Sequence, residues 1–289
     1  MTRDIPNVVR VLPPTGGEAP VVLDSPHSGT VFPADFGHAA PASAIQAGCD
    51  AFVDELFGAG PALGAAMIAA EFPRAYIDPN RALDDLDPDM LDGLWPEPLT
   101  ATLKTAAGKG LIWRTGGGGV PIYDRKLRVA EVAGRIENYW RPYNDTLAST
   151  LEGVHARWGG YWHIDCHSMP SVWSSAASHG AGTAVEADFI LGDRDGTTCE
   201  PAFTELVRDT LTKLGWRVAV NDRFKGVEIV RRQGQPAENR HSLQIEIVRR
   251  GYLHEKTLAP NEGYARMQRD LTSLLETVCD WARRRAPAG

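Results

Sequence analysis

Two segments of the chain each lead an apolar run into a histidine that could bind a metal ion. Val21–Gly29, VVLDSPHSG, carries His27, and Tyr161–Pro170, YWHIDCHSMP, carries His167. Both patterns are typical of a strand that leaves a sheet at its carboxyl edge, where ligands bind in α/β proteins. A single histidine of this kind is usually an ordinary loop residue. Two of them, each near an aspartate and a proline or glycine, predict a shared metal site.

The second segment also has the period of a β-strand. His163, Asp165 and His167 are predicted to point to one face of the sheet, and the residues between them to the other. Asp24 and Asp165 each precede a histidine and could accept a hydrogen bond from it, which would orient a metal-binding ring.

A hydrolytic zinc site needs three protein ligands, commonly two histidines and a carboxylate, and an open position for water. Asp50 is the favoured third ligand and Asp54 the alternative, in a predicted helix with the sequence DAFVDELFGAG. Four residues separate the two aspartates, so a helix carries both on one face. Either could instead be a carboxylate that the helix dipole favours near an N-terminus.

Glu246 is the candidate for moving the proton in such a site. It lies in LQIEIV, a segment too apolar to contain a carboxylate without a cause. A hydrolysis reaction needs a group that takes a proton from water and passes it to the leaving nitrogen. The alternative is that Glu246 is a structural partner of an arginine.

Other hydrolase classes lack their motifs in this chain. There is no Gly-x-Ser-x-Gly, which disfavours a serine hydrolase, and no HExxH, which excludes the thermolysin-type zinc helix. Spacing alone therefore predicts a metal-dependent hydrolase and no finer class.

The composition of the chain limits the kinds of molecule that the protein is expected to bind. The 289 residues are 43% hydrophobic and 23% charged with a net charge of -7, ordinary values that argue against a nucleic-acid partner. An anionic substrate would need a local cluster of cationic side chains. No run approaches the ~20 apolar residues of a membrane helix, and no signal peptide is predicted. The four cysteines are scattered without a CxxC pair, which favours reduced thiols and a cytoplasmic protein.

Short apolar strands alternate with amphipathic helices, which indicates one α/β domain with a mixed or mainly parallel sheet. The predicted strands are Val21–Leu23, Ala65–Ala70, Ala75–Ile77, Tyr161–Cys166, Asp188–Leu191, Trp216–Val220, Gly226–Arg231 and Leu243–Val248. After the helix at Asp50, further helices are predicted over Val129–Trp158, with a kink at Pro142, over Glu200–Leu214 and over Pro260–Arg285. Residues 82–110 are predicted to be a long loop, and Ser171–Thr183 a Ser/Ala/Gly-rich one.

Seven motifs, in this order, resemble the N-formylglutamate amidohydrolase family. They are SPHSG, DAFVDEL, RAYIDPNR, RIENYWRPYN, DCHSMP, FKGVEIVRRQGQP and LQIEI, spread from about residue 20 to residue 255. The family is similar to the zinc carboxypeptidases. The resemblance therefore implies a phosphorylase/hydrolase-like, three-layer α/β/α fold over a single catalytic domain, residues 1–289.

The resemblance also implies roles for individual residues. Zinc would be held by His27, Asp50 (or Asp54) and His167, and Glu246 would be the general acid/base. Substrate carboxylates would be bound in the segments that contain Asn80, Arg81, Arg135 and Tyr139, with the two arginines as the main partners. The implied reaction is hydrolysis of N-formyl-L-glutamate, a small anionic N-acyl amino acid, as in histidine catabolism.

Two alternatives stay open at this point. One is a zinc carboxypeptidase or a deacylase for another N-acyl amino acid, with the same metal site and a different pocket. The other is a non-enzymatic binding protein with a degenerate site.

Overall fold

The computed structural model describes residues 3–173 and 182–286. Its centre is a seven-stranded sheet in the spatial order β1-β3-β2-β4-β7-β5-β6. The strands are β1 (Val9–Leu12), β2 (Val21–Ser25), β3 (Ala66–Ala70), β4 (Tyr161–Met169), β5 (Phe189–Gly192), β6 (Val218–Val220) and β7 (Arg240–Val248). Short two-stranded ribbons join Leu91–Asp92 to Leu127–Arg128, Val172–Trp173 to Thr183–Ala184, and Leu253–His254 to Ala259–Pro260.

The central strands run parallel. β2 pairs in parallel with both β3 and β4, β4 pairs with β7, and β5 pairs with β6. Only the β1–β3 and β5–β7 pairs of this sheet are antiparallel. The sheet is thus mixed and mainly parallel, as predicted, and the carboxyl ends of β2, β4 and β7 meet at one edge.

The helices have uneven lengths. They are α1 (Ala42–Gln46), α2 (Val53–Leu56), α3 (Gly60–Leu63), α4 (Leu103–Ala106), α5 (Val129–Arg135), α6 (Arg141–Trp158), α7 (Pro201–Lys213), α8 (Glu228–Gln233) and α9 (Tyr264–Arg285). A π-helical turn, Ile136–Trp140, joins α5 to α6, so the predicted region 129–158 is helical throughout, with π-type hydrogen bonding just before Pro142. Short 3₁₀ turns occupy Pro88–Met90, Gly117–Gly119, Pro236–Glu238 and Arg249–Gly251.

Alternation along the strands builds two cores, one on each face of the sheet. Leu23, Ile164 and Ile245 belong to the core that contains α7 and α9, whereas Val22 belongs to the core that contains α6. The sheet is therefore the middle layer of a three-layer α/β/α fold, which confirms the expected class.

Two strand predictions were wrong. Ala75–Ile77 is a turn, and Gly226–Arg231 contains the start of α8 rather than a strand. Most of the predicted loop Ser171–Thr183 lies outside the described residues. The loop predicted for residues 82–110 is largely irregular, with α4 and a 3₁₀ turn inside it.

The segment after Asp50 also departs from expectation, because Phe52 adopts a left-handed backbone conformation with φ 62°. L-residues rarely take this conformation, which lies outside the right-handed helical region. A helix therefore cannot run through Phe52. The helix therefore begins at Val53, so Asp50 and Asp54 do not share a helical face.

The structure also bears on the cysteines and on membrane-spanning helices. All four cysteines are buried and unpaired. Within the described ranges, no helix combines the length and the apolar character required to cross a bilayer.

Candidate active site

His27, Asp50 and His167 converge at the carboxyl edge of the sheet. His27 Nδ1 lies 3.0 Å from His167 Nδ1, and Asp50 Oδ2 lies 3.1 Å from His167 Nδ1 and 3.4 Å from His27 Nδ1. All three side chains are buried. They form a group of three potential ligands with one donor atom each, all within 4.8 Å of one another.

The fold brings these residues from three separate segments. His27 follows β2 directly, His167 lies within β4, and Asp50 lies in the turn before α2, where its backbone N–H donates to the carbonyl of His27 (2.9 Å). Gly29 allows this loop to lie against the chain at Glu71 and Phe72, since a Cβ there would approach backbone atoms to 2.4 Å. The contacts of His167 with His27 and Asp50 join positions that the sequence separates by more than a hundred residues.

A carboxylate contacts the Nε2 atom of each histidine. His27 Nε2 lies 2.8 Å from Asp78 Oδ1, and His167 Nε2 lies 2.7 Å from Asp165 Oδ1. With Nε2 of each ring protonated, the lone pair of each Nδ1 would be free to bind a metal ion, the arrangement that outer carboxylates give to metal-binding histidines. The role expected for Asp165 is therefore consistent with its contact.

Asp24 does not orient His27, contrary to expectation. It contacts His163 Nε2 at 2.8 Å and accepts a hydrogen bond from Tyr143 at 2.7 Å. The reason is strand geometry: Asp24 lies inside β2, beside Asp165 in register. His27, three residues later, has already left the sheet and faces Asp78.

Burial and charge act in opposite directions on the two histidines. Burial, together with the nearby Arg74, lowers the pKa of His27. Burial also acts to lower the pKa of His167, but the Asp165 charge and the hydrogen bonds to Asp165 and Asp50 outweigh it and raise that pKa well above its ordinary value. Although burial opposes ionisation of Asp50, hydrogen bonds from both histidines hold its pKa well below the usual range. These pKa directions favour a neutral His27 and an ionised Asp50, the forms that bind a metal ion, whereas His167 would release a proton on binding one.

The donor spacing fits a tetrahedral metal ion. Ligand bonds of ~2.0–2.1 Å put neighbouring ligand atoms of four-coordinate zinc ~3.3 Å apart. The three distances here, 3.0, 3.1 and 3.4 Å, bracket that value. Two Nδ1 atoms this close to each other and to a carboxylate oxygen are well suited to a cation.

Asp54 lies outside this group. Its Oδ2 accepts a hydrogen bond from Arg10 Nη2. Arg10 lies in β1, which β3 separates from β2 in the sheet. The structure thus selects Asp50 over Asp54 as the carboxylate beside the histidines.

Glu246 faces the same space from the neighbouring strand. In the β4–β7 pairing it lies directly opposite His167, and its side chain points to the face that carries the histidines. Burial raises the pKa of its carboxyl to about 7, an effect that the nearby His167 charge only partly offsets. A carboxyl with this pKa can both accept and donate a proton near neutral pH.

A cavity of about 360 Å³ connects these groups. His27, Asp50, His167 and Glu246 line its floor, and its walls include side chains from the 82–110 loop and from the segment before α8.

Cations surround this cavity in two groups. Arg249 donates to Asp50 Oδ1 (3.0 Å), and Arg74 donates twice to Asp78 Oδ2 (3.1 and 2.8 Å), so these two guanidinium groups hold the carboxylates of the site. Arg81, Lys104 and Lys109 also line the cavity. The site is therefore positive at its wall although the whole chain is acidic.

Comparison with known proteins identifies the family. A model described as N-formylglutamate amidohydrolase matches residues 19–253. The chain belongs to the N-formylglutamate amidohydrolase family. It is 30% identical over 276 residues to an N-formylglutamate deformylase of Pseudomonas aeruginosa, a match that covers 93% of this chain and 96% of that protein. An N-formylglutamate deformylase of Pseudomonas putida is 28% identical over 245 residues, covering 82% and 83% of the two chains.

A solved structure of the same family supports the fold. The crystal structure of N-formylglutamate amidohydrolase from Ralstonia eutropha JMP134 superposes with a TM-score of 0.91 at 48% identity, covering 96% of this chain and 99% of that one. A gene product of Agrobacterium tumefaciens, 18% identical with a TM-score of 0.63 over 95% of this chain and 96% of that one, shares the fold alone.

Two predicted substrate contacts are corrected in this family member. Arg135 is buried away from the cavity, where it donates to Glu131 (2.7 Å), to the Tyr123 hydroxyl (2.7 Å) and to two backbone carbonyls. Tyr139 packs edge-on against Tyr76 and also does not line the cavity. Both side chains point into the protein rather than into the cavity, and the two terminal nitrogens of Arg135 are taken by Glu131, Tyr123 and backbone carbonyls.

The other two predicted contacts do line the cavity. Asn80 has a structural task, since its Oδ1 accepts from the Ile229 N–H (2.8 Å) and its Nδ2 donates to Asp165 Oδ2 (3.2 Å). Arg81 donates to the carbonyls of Asn80 and Lys109 and keeps its guanidinium at the cavity wall.

Several residues of the site were missed by sequence reasoning. They are Arg74, Asp78, Lys104, Lys109, Gln244 and Arg249. Asp78 and Gln244 had usable signals: Asp78 begins the polar run that follows an apolar segment, and Gln244 lies two residues before Glu246 in a strand, hence on the same face. The lysines of the irregular 82–110 loop had none.

Proposed function

We propose that this chain is a zinc-dependent amidohydrolase that converts N-formyl-L-glutamate to formate and L-glutamate. The observation that carries the proposal is the convergence of His27, Asp50 and His167 beside Glu246 in a cavity with a cationic wall. The names of the Pseudomonas relatives and of the Ralstonia structure support the choice of substrate.

In this proposal His27, Asp50 and His167 hold the metal, with Asp78 and Asp165 fixing the histidine rings from behind. Zinc bound there would polarise the formyl oxygen and lower the pKa of a water molecule to ~7.

Glu246 carries the proton in the reaction. It accepts a proton from the attacking water, whose oxygen forms the new bond to the formyl carbon. It then donates that proton to the glutamate nitrogen as the carbon–nitrogen bond breaks. Its pKa, raised by burial to about 7, suits both directions of transfer near neutral pH.

The cationic wall selects for substrate charge. Arg81, Lys104 and Lys109 line the cavity, and their charges suit the two carboxylates of the substrate. Arg74 and Arg249 are already paired with Asp78 and Asp50, so they act on the site from within the protein. Burial and the neighbouring arginines lower the pKa of Lys104 to about 8, which still leaves it mostly charged at pH 7.

The decisive experiment measures formate release from N-formyl-L-glutamate by protein as purified, after chelation, and after zinc is restored. We expect stoichiometric zinc, loss of activity on chelation and recovery on re-addition. N-acetylglutamate, N-succinylglutamate, N-formylleucine and a dipeptide serve as competing substrates. Zinc-loaded protein that releases no formate from N-formylglutamate would overturn the proposal. Preferred cleavage of the dipeptide or of N-acetylglutamate would assign the site to the carboxypeptidase or deacylase alternative instead.

A further inference from the structure

Gln244 is a buried amide next to the proposed proton carrier. Only 1% of its surface is exposed, it lines the cavity, and its Nε2 donates to Glu246 Oε1 at 3.0 Å. Its Oε1 is buried without a hydrogen-bond partner among the described residues. A buried acceptor left unpaired is costly, so an arrangement that retains one in an active-site cavity calls for a ligand that pairs with it.

The orientation of this amide follows from its neighbour. An ionised Glu246 can only accept hydrogen bonds, so it binds the Nε2 end of Gln244 and repels the oxygen end. Strand alternation holds both side chains on one face of β7, with Gln244 opposite Asp165 and Glu246 opposite His167. The free Oε1 is thereby fixed beside the carboxylate that moves the proton.

We propose that Gln244 positions Glu246 and binds the N–H of the scissile amide through Oε1. This inference rests on the proposed function, since it concerns the leaving nitrogen of that reaction. The formamide nitrogen carries a single N–H donor, and the adjacent substrate carboxylates and formyl oxygen are acceptors only. Oε1 therefore complements the one donor at the reacting centre.

This contact has a consequence for the proton transfer. As water adds to the formyl carbon, the nitrogen becomes pyramidal and gains a lone pair. With its N–H held by Gln244, that lone pair is free to face Glu246. Glu246 then delivers the proton taken from water, the carbon–nitrogen bond breaks, and the products are formate and the free amine. No other reactant is needed.

The test compares two substrates that differ only at this atom. N-formyl-L-glutamate has the N–H, whereas the O-formyl ester of 2-hydroxyglutarate has an ester oxygen in its place and cannot donate. The experiment measures kcat/KM for both on the zinc-loaded enzyme, with the uncatalysed ester rate subtracted. In Gln244→Met, a variant of similar volume, we expect the amide rate to fall roughly 10-fold or more relative to the ester rate, the size of one lost hydrogen bond.

A second variant separates the two halves of the proposal. Gln244→Glu keeps an acceptor oxygen but replaces the donor to Glu246 with a like charge. Its amide-to-ester ratio should stay near that of the wild type, while the acidic limb of its pH–rate profile moves to higher pH. Ser242→Ala, two residues earlier on the same face of β7 and outside the cavity lining, controls for strand packing and should change neither quantity.

The outcomes are distinct. An unchanged amide-to-ester ratio in Gln244→Met, in protein that melts normally and retains zinc, would overturn the N–H contact. An unmoved acidic limb in Gln244→Glu would overturn the positioning of Glu246. A wild-type enzyme without activity on N-formylglutamate would instead refute the proposed function itself.

Discussion

Two histidines lie four residues apart on the same face of β4, each beside an aspartate, and only His167 belongs to the site. His163 Nε2 contacts Asp24 at 2.8 Å, and its Nδ1 contacts the Ser242 hydroxyl at 2.7 Å. His167 Nε2 lies 2.7 Å from Asp165 Oδ1 and 3.1 Å from Asn80 Nδ2, whereas its Nδ1 lies next to His27 Nδ1 and Asp50 Oδ2.

Burial does not distinguish the two rings, since His163 is 0% exposed and His167 3% exposed. The difference lies in the second nitrogen. His163 has a fixed protein partner on both sides, whereas the Nδ1 of His167 meets another Nδ1 and a carboxylate, an arrangement that a cation completes. Of the two buried histidines, only His167 therefore has a second nitrogen that converges with other potential ligand atoms.

The largest loss of activity should come from removing either histidine whose Nδ1 atom lies in the candidate metal site. His167→Ala and His27→Ala should each lose stoichiometric zinc and nearly all activity, a loss greater than the ~10²–10⁴-fold typical of a general acid–base group. Elemental analysis of purified protein and formate release measure the two quantities. His163→Gln is the matched control and should retain zinc. Full zinc content in both alanine variants would show that the convergence does not bind the metal.

Glu246→Gln should give the next largest loss. The amide preserves volume and cannot carry a proton, so kcat should fall ~10²–10⁴-fold with zinc content and KM little changed. In the wild type, rate should rise with pH as Glu246 ionises; its pKa of about 7 puts this limb at or below neutrality, because a bound dication favours the ionised form. The limb should be missing from the variant. A variant that keeps more than about a tenth of wild-type kcat would leave general acid–base catalysis to another group.

The two aspartates test the comparison most directly. Asp165→Asn should weaken zinc affinity ~10–100-fold, as expected when the partner of a metal-binding histidine loses its charge. Asp24→Asn, the same change beside His163, should leave zinc affinity unchanged. Competition with a chelator of known affinity measures both. Equal losses in the two variants would mean that the pairs act as one network.

The strand pattern predicted much of this arrangement, and long-range packing determined the rest. Alternation in YWHIDCHSMP correctly put His163, Asp165 and His167 on one face. It could not tell which of them would meet a second histidine, because that depends on where the chain goes after β2. The same limit explains why Asp78 was missed as the partner of His27.

Local backbone conformation limited the prediction elsewhere. Helical periodicity placed Asp50 and Asp54 on one helical face. The positive φ of Phe52 interrupts that helix between them, and the sequence alone gives no sign of this backbone conformation. The family resemblance likewise implied that Arg135 binds substrate, whereas Glu131, four residues earlier on α5, pairs with it. Partners of buried charges depend on the packing of distant loops and are the least predictable part of the site.

The smallest expected effect belongs to Tyr143→Phe, which removes the hydroxyl that donates to Asp24. Activity should remain near that of the wild type because Tyr143 does not line the cavity. Stability should fall by ~1–3 kcal/mol, since a buried carboxylate oxygen loses its donor. Chemical denaturation at equal zinc concentration measures this loss.

The pH dependence of that loss follows from the charge on Asp24. Burial and the nearby Asp165 raise the pKa of Asp24 to about 6, and the Tyr143 hydrogen bond acts in the opposite direction. Because the folded pKa exceeds the unfolded one, the folded state binds the proton more tightly, and ionisation of Asp24 costs stability as pH rises from ~4 to ~6. Without the hydroxyl this cost grows, so the stability difference between variant and wild type should be larger at pH 8 than at pH 5. A stability difference that becomes smaller as pH rises would show that the Tyr143 hydroxyl does not favour the ionised form of Asp24.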